Sequence, residues 1–271
     1  MLPIVKSITT IPTTLCKQLT HLFTDIDDTM TSDGLLLRES FDAMWRLSNH
    51  GIRVVPVTGR PAGWCDHIAR MWPVEAVIGE NGAFYFAYDR TARRMNRRYL
   101  LSKEAREAGE ERMERARRRV LAEVPNAAIS ADQPFRFADL AIDFCEDVEP
   151  LERREIDAIC RILDEEGLTY KVSSIHINTW YGDHNKVACL KQYLSDRGAT
   201  TEAPSLSEVV FLGDSPNDEP IFAEVEHGIG VANIRTFEDR LTHPPAYVTE
   251  RESGLGFAEA VDTILAKRTA G

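Results

Sequence analysis

Short hydrophobic runs alternate with segments of helical periodicity over much of the chain. The run His21–Thr24 predicts a strand, and Phe41, Met44 and Trp45 follow it at helical spacing. A β-branched run at 52–57 predicts a second strand that is buried on both faces. Strands and helices in this alternation are typical of βαβ units, so we expect an α/β fold built on a Rossmann-like, doubly wound parallel sheet.

The pattern changes in the middle of the chain. The stretch 90–122 is dense in Arg and Glu, and its apolar residues share one face, which predicts a single amphipathic helix. Apolar and polar residues alternate at 140–144 and at 175–180. Such alternation predicts half-buried strands with one face in solvent, as in an antiparallel sheet. We therefore expect an inserted α+β domain here.

After the insertion the α/β pattern returns. It predicts a helix over Lys186–Gly198, a polar loop at 200–207 and a buried strand at 209–212. The chain is thus expected to form a core from two segments that the insertion separates. The expected boundaries are 1–84 and 183–271 for the core and 85–182 for the insertion.

Composition narrows the class of protein. The 271 residues are 43% hydrophobic and 28% charged, and the net charge of −11 argues against binding a nucleic-acid backbone. No apolar run approaches the roughly 18 residues of a membrane span, and the stretch 1–20 lacks the apolar segment of a signal peptide. Five cysteines without a C-x-x-C pair indicate reduced thiols rather than disulfides or a zinc site. We expect a cytoplasmic protein with neither a membrane nor a nucleic-acid partner.

Three acidic residues, Asp25, Asp27 and Asp28, directly follow the first predicted strand. Open α/β sheets bind ligands at this end of their strands. Residues two apart in extended chain point the same way, so Asp25 and Asp27 converge on one small volume. Close carboxylates repel each other unless a cation or a shared proton compensates them, and Mg²⁺ prefers such oxygen ligands. The alternative is an acidic turn that caps the next helix.

Two further segments could bind an anion. Thr58, Gly59 and Arg60 follow the second strand, where a hydroxyl and free backbone N–H groups can hold a phosphoryl oxygen. Lys186 follows a predicted N-cap at Asp183 and therefore opposes the helix dipole, which favours an anionic partner. The alternatives are an ordinary strand–turn–helix junction for the first segment and a solvated surface lysine for the second.

A fourth segment places Asp214 and Asp218 after the strand at 209–212. Ser215 and Asp218 could simply begin a helix. The order Asp-x-Asp-x-Thr, Thr, Lys, Gly-Asp-x-x-x-Asp is much more specific than any one part. In this order the chain resembles the haloacid dehalogenase superfamily of phosphatases and phosphotransferases, over about 18–84 and 183–271.

The resemblance extends to the insertion. Its position between Thr58 and Lys186 is similar to that of the large α/β cap in Cof-type and sugar-phosphate phosphatases. The segment 78–83, Ile-Gly-Glu-Asn-Gly-Ala, resembles the Asn-Gly-Ala signature of that branch, and its Glu-Asn-Gly form is similar to mannosyl-3-phosphoglycerate phosphatases. One departure is Asp28, where the family often has Gly, although Asp tolerates an unusual φ better than most residues.

The motif matches imply roles for individual residues. Asp25 would be the nucleophile that forms an aspartyl-phosphate, and Asp27 would be first the general acid and then the general base. Thr58 and Lys186 would hold the phosphoryl oxygens. With these four catalytic positions the chain would hydrolyse a phosphomonoester.

The resemblance also implies Mg²⁺ as cofactor. Its ligands would be Asp25, the backbone carbonyl of Asp27, and Asp214, with Asp218 supporting the water ligands of the metal or Lys186. The predicted substrate is a small phosphorylated metabolite, either a sugar phosphate or a glycosyl-phosphoglycerate. The expected substrate-binding residues are Thr58, Gly59, Arg60, Asn81, Lys186, His176 and Asn178.

Some alternatives stay open at this stage. His176 and Asn178 share one face of a predicted strand, which points either into the cleft or into solvent. A phosphomutase similar to phosphomannomutases, a non-enzymatic module that accepts a phosphoryl group, and a dehalogenase are the rival functions. The second is disfavoured because Asp27 would speed loss of the phosphoryl group, and the third because dehalogenases need no metal-binding Asp pair. A monomer or a homodimer is expected.

Overall fold

Strands and helices alternate along the computed structural model, which describes residues 5–173, 175–198 and 206–270. The strands are β1 (Lys6–Ser7), β2 (His21–Thr24), β3 (Thr31–Ser32), β4 (Leu35–Leu36), β5 (Arg53–Pro56), β6 (Val77–Gly79), β7 (Phe84–Asp89), β8 (Arg94–Tyr99), β9 (Ala128–Ile129), β10 (Asp139–Asp143), β11 (Thr169–Val172), β12 (His176–Trp180), β13 (Val209–Gly213), β14 (Gly228–Gly230) and β15 (Tyr247–Val248). The helices are α1 (Thr13–Gln18), α2 (Arg38–Asn49), α3 (Ala62–Met71), α4 (Lys103–Glu123), α5 (Arg153–Glu165), α6 (Lys186–Gly198), α7 (Glu219–Phe222) and α8 (Ser253–Thr269). Most of the loop predicted at 200–207 lies outside the described residues.

A six-stranded parallel sheet in the order β1-β15-β14-β13-β2-β5 forms the core. Successive side chains of a strand face opposite sides. Leu22 and Val54 therefore pack with α1, α2, α3 and α8 on one side of the sheet. Phe23 and Val55 pack with α6 and α7 on the other. Helices cover both faces, so the predicted doubly wound α/β core is confirmed.

The inserted region contains an antiparallel sheet in the order β11-β12-β10-β9. Ile142 and Ile177 pack on one face against the buried side chains of α4 and α5. The opposite face is buried too, since His176 is only 3% and Asn178 only 8% exposed. The prediction of half-buried strands with a solvent face was therefore wrong. The polar face turns towards the core rather than towards water.

The prediction of one helix over 90–122 was also wrong, because its first part is β8. This strand pairs with β7 along six residues, from Phe84↔Tyr99 to Asp89↔Arg94. The Arg97 guanidinium lies 5.4 Å from the ring centroid of Phe86, so an aromatic face accommodates the Arg-rich strand. Tertiary pairing overrides the local pattern here.

The β7–β8 hairpin bears on where the insertion begins. It pairs with β6, and Phe84 and Phe86 belong to the same buried cluster as Leu22 of the parallel sheet. We propose that the hairpin is part of the core and that the inserted domain begins after Tyr99 rather than at residue 85.

None of the five cysteines forms a disulfide, as the sequence predicts: Cys16, Cys65 and Cys189 are buried, and Cys145 and Cys160 are half-buried. They are spread over the core and the insertion, so they share no common site. Among the helices of the described ranges, none is both long and apolar enough to span a bilayer.

Gly82 provides a test of how the two core segments pack. Its φ is +97°, and a Cβ here would collide with the backbone at Asn185 and Lys186, where α6 begins. Gly82→Ala should lower the free energy of unfolding for two reasons. A left-handed backbone conformation costs a non-glycine residue about 1–2 kcal/mol, and overpacking against α6 costs roughly 1–3 kcal/mol more. Gly51→Ala is the matched control, because Gly51 has φ +74° and open space around its Cβ position. Equal losses of unfolding free energy in urea for the two variants would contradict this packing.

Candidate active site

Three neighbouring strands deliver polar residues to one edge of the sheet. β2 lies between β13 and β5. Asp25 follows β2, Thr58 lies two residues beyond β5, and Asp214 follows β13. The Asp25 amide donates to the Leu212 carbonyl at 2.9 Å, which extends the β2–β13 ladder up to the site. Residues far apart in sequence therefore meet at the carboxyl end of the central strand, where α/β proteins bind ligands.

Lys186 joins two of these carboxylates. Its Nζ donates to Asp25 Oδ1 at 2.6 Å and to Asp218 Oδ1 at 3.1 Å. Burial disfavours the ammonium, but Asp218 and Asp25 outweigh it and raise the pKa of Lys186. The local prediction of an N-cap at Asp183 was wrong, because Asn185 Oδ1 accepts from the Ala188 amide and so caps α6. Lys186 is the first residue of the helix and points into the carboxylate cluster.

Asp214 is held by three neighbours. Its Oδ1 accepts from Thr29 Oγ1 at 3.0 Å, and its Oδ2 accepts from Asn233 Nδ2 at 3.4 Å. The Asp214 amide donates to Asp218 Oδ2 at 3.1 Å. The carboxylate of Asp218 lies directly against Gly213, where a Cβ would collide with it. The Gly-Asp-x-x-x-Asp spacing therefore positions one carboxylate towards the cleft and a second behind it.

The donor set suits a hard divalent cation. Burial raises the pKa of Asp25 and of Asp214, and nearby carboxylates raise both further. A cation between them would remove this penalty. Within the described ranges, no group of three His, Cys, Asp or Glu side chains forms a complete metal cage. Mg²⁺ usually keeps several waters and takes only one or two carboxylates, so the Asp25–Asp214 pair fits it.

Asp27 is clamped by Arg60. The guanidinium donates from Nε and Nη2 to the Asp27 carboxylate at 2.8–3.2 Å and lies 4.6 Å from the ring centroid of Trp64. Such a bidentate pair fixes the orientation of a carboxylate. The next residue, Asp28, has φ 56°, the conformation for which the family often uses Gly. Asp accommodates it, and the loop keeps its tight turn.

The segment after β5 forms one wall of the cleft, and it contains the residues predicted to bind phosphoryl oxygens. Thr58 is fully buried, and its Oγ1 accepts from the Arg60 amide at 2.9 Å. The Asn81 amide group lies over Gly59, where a Cβ would come within 3.2 Å of Asn81 Oδ1. Asn81 has φ 55°, which turns its side chain into the cleft. Thr58, Gly59 and Asn81 thus lie together, as the motifs predict.

Glu80 ties the inserted domain to this wall. It is fully buried and accepts from the amides of Ala62 in the core and of Phe137, Ala138 and Asp139 in the insertion. Burial raises its pKa, and these N–H groups act in the opposite direction. Helix α3 begins at Ala62 and β10 begins at Asp139, so one carboxylate holds both elements.

The inserted domain covers the site and leaves a cleft of about 730 Å³. His176 and Asn178 line it, so they face the cleft and not solvent. Asn178 Nδ2 donates to Asp139 at 3.2 Å, whereas His176 Nε2 lies 2.8 Å from Glu146 Oε2 without a hydrogen bond between them. Asn178 is therefore less available to a substrate than its sequence pattern suggests.

The sequence analysis assigned no role to four residues of the site. Asn233 lies in a 3₁₀ segment, and Arg136 donates to the Gly59 carbonyl at 3.2 Å from the insertion. Lys171 stands on an edge strand without a motif around it. Glu80 belongs to the Glu-Asn-Gly segment, which was the one available clue. Their roles arise from contacts between distant parts of the chain.

The sequence model of haloacid dehalogenase-like hydrolases matches residues 22–170, more than half of the chain. The chain belongs to this family. The match includes the first two motifs and most of the insertion.

Solved structures of the same fold cover nearly the whole hydrolase. A Thermoplasma acidophilum protein, 0175, has a TM-score of 0.69 at 14% identity, over 91% of this chain and 98% of that one. A haloalkanoate-superfamily phosphatase from Bacteroides thetaiotaomicron has a TM-score of 0.62 at 16% identity, over 91% and 95%. The sucrose-phosphatase of Synechocystis, in complex with sucrose and phosphate, has a TM-score of 0.62 at 16% identity, over 92% and 98%. These similarities show a shared fold.

Glu80→Gln tests the tie between core and insertion in this hydrolase. The amide nitrogen of Gln cannot accept, so at least one buried N–H group loses its partner, at a cost of about 1–3 kcal/mol. We expect a lower urea midpoint and faster hydrogen exchange at the amides of 137–139.

Glu259→Gln is the control for Glu80→Gln. Glu259 also accepts backbone N–H groups, from Glu250 and Arg251, but it is partly exposed, so water can replace it. Glu259→Gln should therefore lower the free energy of unfolding by no more than about 0.5 kcal/mol. Identical midpoints and identical exchange at 137–139 for both variants would show that Glu80 does not hold the insertion.

Proposed function

We propose that this chain is a Mg²⁺-dependent phosphomonoesterase that hydrolyses a small phosphorylated metabolite through an aspartyl-phosphate. The observation that supports this most directly is the bridge from Lys186 to Asp25 and Asp218, beside Asp214, at the carboxyl end of the central strand. A nucleophilic carboxylate, a fixed cation and a metal-binding carboxylate are the parts that phosphoryl transfer requires.

In this mechanism Asp25 attacks phosphorus in line with the leaving alkoxide. One difficult hydrolysis becomes two easier steps, formation and hydrolysis of the aspartyl-phosphate. Asp27 protonates the alkoxide in the first step and deprotonates the attacking water in the second. Arg60 orients Asp27 for both steps through its bidentate contact.

The remaining groups bind the phosphoryl oxygens. Lys186 supplies a permanent positive charge, and Thr58 with the free N–H groups of the following turn supplies hydrogen bonds. Asp25, Asp214 and the Asp27 carbonyl would hold Mg²⁺, with Asp218 fixing Lys186. When bound, the metal neutralises charge on the transferred group.

The proposed substrate is a sugar phosphate or a glycosyl-phosphoglycerate. The cleft of about 730 Å³ has the size of a small-molecule site. The sucrose-phosphatase of the same fold was solved with sucrose and phosphate bound, and segment 78–83 resembles mannosyl-3-phosphoglycerate phosphatases. Both observations favour a phosphorylated carbohydrate as the substrate.

A phosphomutase would need cationic side chains in the inserted domain that bind a second phosphate group. Arg136 lines the cleft from the insertion, but its guanidinium is engaged by Asp132 and Asp139 at 2.7–3.0 Å. This pairing favours a hydrolase. Incubation with a hexose 1-phosphate separates the two reactions, because a phosphatase releases inorganic phosphate and a mutase forms the 6-phosphate.

Asp25→Asn should abolish turnover, because the amide is not a nucleophile towards phosphorus, while the fold is preserved. Asp33→Asn is the matched control, an acidic residue of the same loop region outside the cluster. The measurement is phosphate release from a panel of phosphorylated metabolites, with and without Mg²⁺, beside a thermal melt. More than a few per cent of wild-type activity in Asp25→Asn would exclude the proposed nucleophile.

A further inference from the structure

Lys171 reaches across the cleft from the inserted domain. It lies on β11 opposite Asn178 of β12, so both side chains share the face that looks onto the core. Its Nζ donates to the Asn217 carbonyl at 3.1 Å, in the loop between Asp214 and Asp218. The ammonium therefore lies between the domain that would select the leaving group and the loop that carries the metal-binding carboxylate.

Lys171 differs from the other enclosed cations of the cleft in having no carboxylate partner. The pairs are Arg60 with Asp27, Arg136 with Asp132 and Asp139, and Lys186 with Asp25 and Asp218. For Lys171 no carboxylate lies within ion-pair distance among residues 5–173, 175–198 and 206–270. Arg240, at the rim, also lacks one, but it is exposed and hydrated.

The Lys171 side chain is half-buried, and a single protein acceptor does not fully satisfy its ammonium. Lysine has three N–H donors, and the Asn217 carbonyl takes one. Burial, and then the charge of Lys186, lower the pKa of Lys171 to about 8, although the more distant Asp218 and Asp25 act in the opposite direction. Enclosed charges are normally paired, because an unpaired one loses hydration without compensation. The two remaining donors are thus positioned for an acceptor that the protein itself does not provide.

We propose that Lys171 binds an oxyanion, such as a carboxylate, that the leaving group of the substrate carries close to the phosphoester. This inference rests on the proposed phosphatase function. The transferred phosphoryl group already has Lys186, Thr58 and the metal site on the core. Lys171 belongs to the insertion, and its cross-strand neighbour Asn178 is engaged by the carboxylate of Asp139. Of the two substrate classes proposed above, this favours the glycosyl-phosphoglycerates, which are phosphomonoesters of a hydroxy acid.

The experiment compares two ligands that differ only in this group. In 2-phosphoglycerate a carboxylate takes the place of one hydroxymethyl group of glycerol 2-phosphate. Their inhibition constants are measured against Mg²⁺-dependent hydrolysis of p-nitrophenyl phosphate, which works whether or not either compound is turned over. The variant is Lys171→Met, and the control is Lys103→Met, a lysine at the surface of the same domain.

The wild type and Lys103→Met should bind 2-phosphoglycerate more tightly than glycerol 2-phosphate. In Lys171→Met the ratio of the two inhibition constants should fall by about ten- to a hundredfold, the range expected for loss of a hydrogen bond between charged groups. Its affinity for glycerol 2-phosphate should stay within about twofold.

Two results would overturn the role of Lys171. Equal inhibition constants for the two compounds in the wild type would show that the cleft does not recognise the carboxylate. An equal loss for both compounds in Lys171→Met would assign Lys171 to the phosphoryl group instead. In both cases p-nitrophenyl phosphate is still hydrolysed, whereas absence of that hydrolysis in the wild type would overturn the proposed function itself.

Discussion

The structure depends on compensation of charge around Lys186. Asp25, Asp214 and Asp218 are all buried, and enclosed carboxylates are stable only when a cation or hydrogen bonds replace the water they lose. This requirement places the first residue of α6 against the ends of β2 and β13. It also explains why Gly213 and Gly82 carry no side chain, since a Cβ at either position would displace Asp218 or the start of α6.

The inserted domain is attached to the same centre through polar contacts. Arg136 donates to the Gly59 carbonyl, and Glu80 accepts from Ala62 and from three successive amides where β10 begins. Both contacts adjoin the turn of Thr58, Gly59 and Arg60. A displacement of the insertion would therefore disturb this turn directly. In the proposed mechanism, that would couple substrate selection in one domain to chemistry in the other.

Local pattern was sufficient for the parallel sheet and for the four motif segments, because strand ends and helix starts position residues such as Asp25, Thr58 and Lys186 by themselves. The local sequence pattern was insufficient where contacts with a distant part of the chain determine the structure of a segment. The Arg-rich β8 forms a strand because β7 pairs with it, and the polar face of β12 is buried because the core lies opposite. The role of Glu80 in joining the insertion to the core, and that of Lys171, arise from contacts with residues more than 40 positions away.

A chain of net charge −11 must still attract an anionic substrate. Arg60 and Arg136 contribute little to this attraction, because Asp27 and Asp139 neutralise them at hydrogen-bond distance. Lys186 faces two carboxylates, so the core side of the cleft is acidic until a divalent cation is bound. The proposed metal would therefore determine the sign of the local field, and Lys171, which has no carboxylate partner in the described ranges, adds positive charge on the opposite side. Affinity for the substrate, and not only its turnover, would then depend on the metal.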